Sequence, residues 1–200
     1  MLNKAQIDPI VKASNGVVKH FDLDGWDFSS YAELIKRKLI SPDRQDRSEL
    51  NSSLLFVGNF SEANPKRADG FVSQLMSFMY SKAFLYDLGR VKTLIWMQHP
   101  GWQHLLANPG HPDRKKVTVM REIACDARLV AKSQIPLTST NKQFAGVVDL
   151  ELDREDTIDI EPSKFTPQVT PRIYKLTRKA SMALLEMTPH SDIKCKGRLF

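Results

Sequence analysis

Apolar residues recur along this chain in two rhythms: short unbroken runs, and stretches where they return every three or four positions. Leu54 to Val57 in SSLLFVGNF and Leu94 to Met97 in VKTLIWM are runs closed off by polar residues or glycine, the pattern of strands buried inside an open parallel sheet. Leu129 to Ala131, and SMALLEM ahead of Pro189, have the same strand composition. Val17, Val18 and Phe21 in GVVKHF predict a further short strand that ends in acidic residues. Between these runs the period lengthens. SSYAELIKRKLI sets Tyr31, Leu34, Ile35 and Leu39 at helical spacing, with Ser29 or Ser30 as the expected cap. From about Gly70 to Leu88, Phe71, Leu75, Phe78 and Leu85 form one row and Val72, Met76, Met79 and Ala83 a second. That apolar face is wide enough to lie on a sheet, and Gly89 is the expected stop. A short amphipathic turn around Trp102, Leu105 and Leu106 and a helical row Val117, Met120, Ile123 and Ala124 complete the set. The polar stretch 41–53 reads as a surface loop, and 135–171, rich in Pro, Asp and Glu, as loops between sheet elements. Strands alternating with helices predict an α/β layer fold, taken as one domain over 1–200.

Composition narrows the function classes. The 200 residues, 42% of them hydrophobic, suffice for one well-buried domain. No apolar run approaches the roughly 18 residues of a membrane span, and the opening MLNKAQIDPIVKAS reads neither as a secretory signal nor as a mitochondrial transit peptide. Cys125 and Cys195 stand far apart without ligand-spaced neighbours, which predicts reduced thiols rather than a disulfide or a zinc site. His99, His104 and His111 are not spaced as a helical metal pair, so no metal is expected. A net charge of +6 suits a polyanionic partner. Arg114, Lys115 and Lys116 with Arg121, in the loop and first helical turn after NPG, are the candidates for phosphate contact, against the plainer reading of a solvated charge run.

The residues themselves carry a resemblance. NFSE after a buried strand, then a long helix, VKTLIWM, LLANPG and VTVMREIACDARLVAKS follow in order the second half of the ribosomal RNA adenine dimethyltransferase superfamily. LYDLGRVKTLIWM and LLANPGHPDRKKVTVMREIACDARLVA are most similar to its fungal mitochondrial branch, the transcription factor B proteins. DLDGWDFSSY, read as the family's acidic turn before a tryptophan, extends the likeness toward the N-terminus. The resemblance implies a partial class I, Rossmann-like S-adenosylmethionine-dependent methyltransferase fold that lacks the family's first strands and its C-terminal helical domain. In the family's strand order 3-2-1-4-5-7-6, GVVKHF would be strand three and SSLLFVG strand four. It also implies a mitochondrial location, mitochondrial RNA polymerase as partner, and promoter DNA or RNA as ligand.

The same resemblance points to a base pocket that has been altered. The family motif at the end of its fourth strand is Asn, an apolar residue, Pro and an aromatic, which hold and stack a flipped-out adenine. Asn59 and Phe60 match the first two positions, whereas Ser61 stands in place of the proline and Glu62 in place of the stacking ring. A carboxylate offers no π-face. By turn chemistry alone Gly58–Asn59 is an ordinary strand exit; the resemblance makes Asn59 and Phe60 a vestigial base pocket. Asp22 matches the acidic position that contacts the cofactor's adenine, but no glycine-rich loop resembling GxGxG is present. S-adenosylmethionine is thus the family's cofactor and is not expected on this chain. The favoured reading is a non-catalytic mitochondrial transcription initiation factor, the alternative an rRNA adenine N6-dimethyltransferase. Trp26, Trp96 and Trp102 sit beside apolar periodic positions and read as core or boundary aromatics.

Overall fold

The computed structural model describes residues 4–60, 65–98, 101–133, 158–160 and 182–191. The chain divides into two units, Met1–Ser41 and Pro42–Phe200. In the first, helix α1 spans Lys4–Ala13 and α2 spans Phe28–Lys36. Helix α1 was not legible as a periodic stretch. It stops where Asn15 (φ 50°) and Gly16 (φ 86°) turn left-handed and the Val17 amide returns to the Ser14 carbonyl at 3.1 Å. The strand expected over Val17 to Phe21 does not form: the segment is irregular, with Val17 86% exposed. Strand propensity without a neighbouring strand leaves the backbone groups no ladder to join. The cap of α2 is Asp27 rather than either serine; its Oδ1 accepts the Ser29 amide at 2.9 Å. A carboxylate also favours the positive end of the helix dipole.

The second unit is built on a sheet. Its strands are β1 (Leu50–Asn59), β2 (Arg90–Gln98), β3 (Cys125–Ser133), β4 (Ile158–Ile160) and β5 (Met182–Pro189). Their order is β1-β2-β5-β3-β4. Neighbours β1 and β2 run parallel, as do β3 and β4, while β5 is antiparallel to both β2 and β3. The run β1-β2-β5-β3 reproduces the 4-5-7-6 half of the order that the resemblance implied, a partial Rossmann-like arrangement. Three helices follow the strands: α3 (Pro65–Ser81), α4 (Gly101–Leu106) and α5 (Lys116–Ala124). The helix expected over Gly70 to Leu88 is therefore two elements, α3 and a 3-10 turn at Phe84–Leu88. The break has a local cause. Lys82 and Phe84 take φ values of 55° and 60°, which lets Phe84 fold back on Phe78 with ring centroids 5.4 Å apart.

Among the described residues α3, α4 and α5 pack on one another, and one face of the sheet turns its buried side chains toward them, Phe56 and Phe60 meeting Phe71 of α3. That face carries the buried alternate residues Phe56, Val91, Thr93, Ile95, Met97, Ala183, Leu185 and Met187. Phe56 stacks on Phe71 of α3 at 6.5 Å, and Tyr86 Oη and Thr93 Oγ1 share a buried hydrogen bond of 2.8 Å. Burial pushes the Cys125 thiol up to about 12, so it stays protonated in the core. The opposite face has no helix of this unit among the described residues. There Leu55 and Val57 are 50% and 64% exposed, and Leu94, Trp96, Leu184 and Glu186 are half-buried. Arg128 Nε donates to Glu186 Oε1 at 3.1 Å, and Lys92 Nζ lies 3.3 Å from Oε2. Burial would raise the Glu186 carboxyl, but the hydrogen bonds from Arg128 and Lys92 and their charges together outweigh it and hold it below the usual range. A folded-state pKa below the unfolded one contributes stability above the unfolded value of about 4.3, lost as pH falls through the folded value. Glu186→Gln is therefore expected to cost on the order of 1 kcal/mol near neutrality and to flatten the acid side of the stability curve. Urea midpoints taken across acid pH check this; an unchanged acid slope would count against it.

The polar stretch 41–53 is less loop than expected, because β1 begins at Leu50. What precedes it is tied down. Arg47 Nη1 donates to the carbonyls of Tyr86 (2.9 Å) and Gly89 (3.2 Å), and Nη2 to that of His190 (3.3 Å). Asn51 Nδ2 donates to the carbonyls of Asp43 (2.9 Å) and Leu88 (2.8 Å), filling the irregularity in the β1–β2 register between Leu50 and Leu55. Arg44 pairs with Asp87, and Arg90 Nη1 donates to the Ser48 carbonyl at 3.2 Å. Gly89 (φ 122°, ψ −159°) lets the loop approach: a Cβ there would stand 2.9 Å from the Gln45 carbonyl oxygen.

Candidate functional site

Parallel β1 and β2 end together, and their carboxyl ends meet the N-termini of α3 and α4, the usual ligand edge of such a sheet. Asn59, the last residue of β1, is exposed on the face opposite α3, α4 and α5. Phe60 extends the ladder by one bond, its amide donating to the Trp96 carbonyl at 2.8 Å. Its ring turns the other way, 5% exposed and tilted against Phe71 at 5.1 Å. Gly58 makes room for that ring, since a Cβ there would come within 2.9 Å of Phe60 Cε2. Strand alternation thus sends the two residues grouped by the motif to opposite faces: Asn59 toward solvent, Phe60 into the helix-packed core. Ser61, Glu62 and His99 lie outside the described residues. The partner of Asn59 in register is Trp96, on the same face, a neighbour that no single-strand periodicity could reveal. Trp102, on α4, is 1% exposed, a core residue as expected.

Behind this edge α3 and α4 touch closely. A Cβ on Gly101 would meet Asp69 Oδ1 and Met97 Cε at 3.0 Å. Asp69 Oδ2 lies 4.0 Å from His104 Nδ1. Burial pushes the Asp69 carboxyl up, with His104 opposing the shift. His111 Nδ1 accepts the Asp113 amide at 3.1 Å. Among the described residues no group of three or more His, Cys, Asp or Glu is placed to hold a metal ion, and no helix is long and apolar enough to cross a membrane.

The basic cluster splits into two roles. Arg114 forks onto both carboxylate oxygens of Glu122, at 2.6 Å each; the hydrogen bond from Arg114 is the main reason that the Glu122 carboxyl sits below its usual range. Arg121 Nε donates to the Leu105 carbonyl at 3.1 Å, tying α5 to α4. Lys115 caps α5, its amide donating to Thr118 Oγ1 at 2.9 Å while that hydroxyl donates to the His104 carbonyl. The side chains of Lys115 and Lys116 are exposed. Asp22 is also exposed, in an irregular stretch of the first unit that follows no strand. Among the described residues no glycine-rich turn stands beside Asp22.

Residues 9–194 match the model of a family described as ribosomal RNA adenine dimethylase, whose members depend on S-adenosylmethionine. Among curated proteins the chain is similar to mitochondrial transcription factor 1 of Saccharomyces cerevisiae, 34% identical over 167 residues that make up 83% of this chain and 44% of that protein. Proteins of the same name from Saccharomyces paradoxus and Lachancea kluyveri are 33% and 32% identical, over 55% and 62% of this chain and 32% and 36% of their own length. The chain spans less than half the length of these relatives. From its strand order, its strand-end Asn59 and a match covering nearly its whole length, the chain belongs to the ribosomal RNA adenine dimethylase family.

Proposed function

We propose that this chain serves transcription initiation in mitochondria without methylating a substrate: a factor that assists mitochondrial RNA polymerase by holding melted promoter strands. The observation that carries this reading is its likeness to three fungal proteins named for mitochondrial transcription, at 32 to 34% identity. The chemistry agrees. Ser61 and Glu62 replace the proline and the ring that the resemblance assigns to base capture, and Asp22 alone cannot hold S-adenosylmethionine. Lys115 and Lys116 make the phosphate contacts, and Arg114 and Arg121, engaged by Glu122 and the Leu105 carbonyl, brace the helix end that presents them.

Calorimetry with S-adenosylmethionine, beside a polymerase-dependent promoter-melting assay, tests the reading. No cofactor binding together with melting is expected; saturable cofactor binding would instead favour rRNA adenine N6-dimethyltransferase activity. Replacing Lys115 and Lys116 together by Ala is expected to weaken single-stranded DNA binding and to reduce the slope of log affinity against log salt by about 1.4, two contacts at roughly 0.7 each. An unchanged slope returns both lysines to a merely solvated role.

A further inference from the structure

We propose that Ser41 is a phosphorylation site, the acceptor for a proline-directed protein kinase, and that Arg44 holds the phosphate once it is attached. Four Ser–Pro or Thr–Pro pairs occur in the chain, at Ser41, Thr166, Thr170 and Thr188, and Ser41 alone has a basic residue three positions on, in the stretch SPDR. A proline directly after the acceptor and a cation at the third place are what such kinases read. The proline acts through the backbone: it brings no amide that the enzyme's cleft would have to satisfy, and it biases the residue before it toward the extended form in which a substrate segment lies along the cleft. Thr188, by contrast, is held in the sheet opposite Asp126 of β3, while Thr166 and Thr170 lie outside the described residues.

The structure presents this serine. Ser41 is exposed in the irregular stretch 41–46 between α2 and β1, the last residue of the first unit, with Pro42 opening the second. On one side the Ile40 amide turns back to the Leu34 carbonyl at 3.4 Å, and on the other the Asp43 amide donates to Ser53 Oγ at 3.0 Å. Between these ties the Ser41 amide and hydroxyl make no hydrogen bond among the described residues. In the transfer Ser41 Oγ attacks the γ-phosphorus of ATP; the new O–P bond forms as the bond to the ADP oxygen breaks, and the hydroxyl proton passes to the kinase's catalytic carboxylate. The product meets a cationic neighbourhood. Within five residues of Ser41 the cations Lys36, Arg37, Lys38 and Arg44 outnumber the carboxylates Asp43 and Asp46. Arg37 is engaged by Glu33 at 2.6 Å. Arg44 is paired with Asp87, but the two side chains are 67% and 54% exposed, so that pair is weak and a phosphate dianion displaces its single carboxylate. Phosphorylation also removes about two of the six net positive charges. On the nucleic-acid reading it is a brake on binding, whereas the site itself does not depend on that reading.

Incubating the full chain with a proline-directed kinase and ATP, and mapping the product by mass spectrometry, tests the site. One phosphoryl group on Ser41 is expected, with incorporation lost in Ser41→Ala and in Pro42→Ala and kcat/KM about tenfold lower for Arg44→Ala, the loss of one charge-assisted contact to the enzyme. In the phosphorylated chains, a phosphorus NMR titration is expected to place the second ionisation of the phosphate, about 6 when unassisted, lower in the parent than in Arg44→Ala. A parent chain that takes no phosphate at Ser41, or a Ser41→Ala chain that takes as much as the parent, overturns the site; equal ionisation in the two phosphorylated chains overturns the role of Arg44. The phosphorylated parent is also expected to bind a single-stranded oligodeoxynucleotide severalfold more weakly than the unmodified chain. If the unmodified chain binds none, the nucleic-acid reading fails while a phosphate mapped to Ser41 stands.

Discussion

Gly89→Ala is expected to destabilise the protein by about 3 kcal/mol. Gly89 occupies a backbone region open essentially to glycine, where another residue costs of order 1–3 kcal/mol in strain. The added methyl would also stand 2.9 Å from the carbonyl oxygen of Gln45, which is backbone and cannot swing aside. The loop would have to retreat, loosening the Gln45 amide bond to the Leu88 carbonyl and the Arg47 contacts, each worth about 1 kcal/mol or more. Gly110→Ala is the control: its φ is also positive, at 87°, but a Cβ there meets nothing within 4 Å, so only about 1 kcal/mol is at stake. Urea unfolding of the two variants separates strain from collision. If both lose the same small amount, the loop is not seated against Gly89.

Arg47→Met is expected to cost a similar amount, about 3 kcal/mol. Its guanidinium reaches three carbonyls, of Tyr86 in the 3-10 turn, of Gly89 just before β2 and of His190 just after β5. Hydrogen bonds from a charged donor contribute about 1.5–3 kcal/mol each when intact, discounted here because the side chain is only half-buried. Methionine keeps the stem and deletes the fork. Since Gly89→Ala and Arg47→Met both release the same loop, the double variant should lose less than the sum. Full additivity in denaturant unfolding would mean that the two act on separate structures.

These two residues also show where sequence reading stops. The strands β1, β2 and β5 and the helices α3 and α5 are legible because their periodicity is the imprint of burial, and burial depends on composition at fixed local spacing. Arg47 looked like one more polar residue in a polar stretch, because its partners are backbone carbonyls 39, 42 and 143 positions away. Local sequence has no record of such a distance. Val17 to Phe21 failed in the opposite direction: β-branched composition announced a strand, but a strand also needs a neighbour. At the candidate site, the motif located Asn59 correctly at the end of a strand, whereas Gly58, read only as part of a strand exit, turns out to make room for the Phe60 ring. The motif could not show that Phe60 faces the core, nor that Trp96 stands beside Asn59, since both follow from pleat and register rather than from order along the chain.

The position of β5 sets the order in which this sheet can be completed. Among the described residues β2 and β3 are joined only through β5, and β5 is drawn from residues 182–189. Until that segment has been synthesised, β1 and β2 with their helices form one fragment and β3 another, and Ile95 and Leu129, each paired with Leu185 in the finished sheet, have no strand between them. Closure spans a long stretch of chain, so the chain should fold late and slowly for its size. A nascent chain stalled before Met182 would present the unpaired inner edges of β2 and β3 to its neighbours, a state that a chaperone would have to shield.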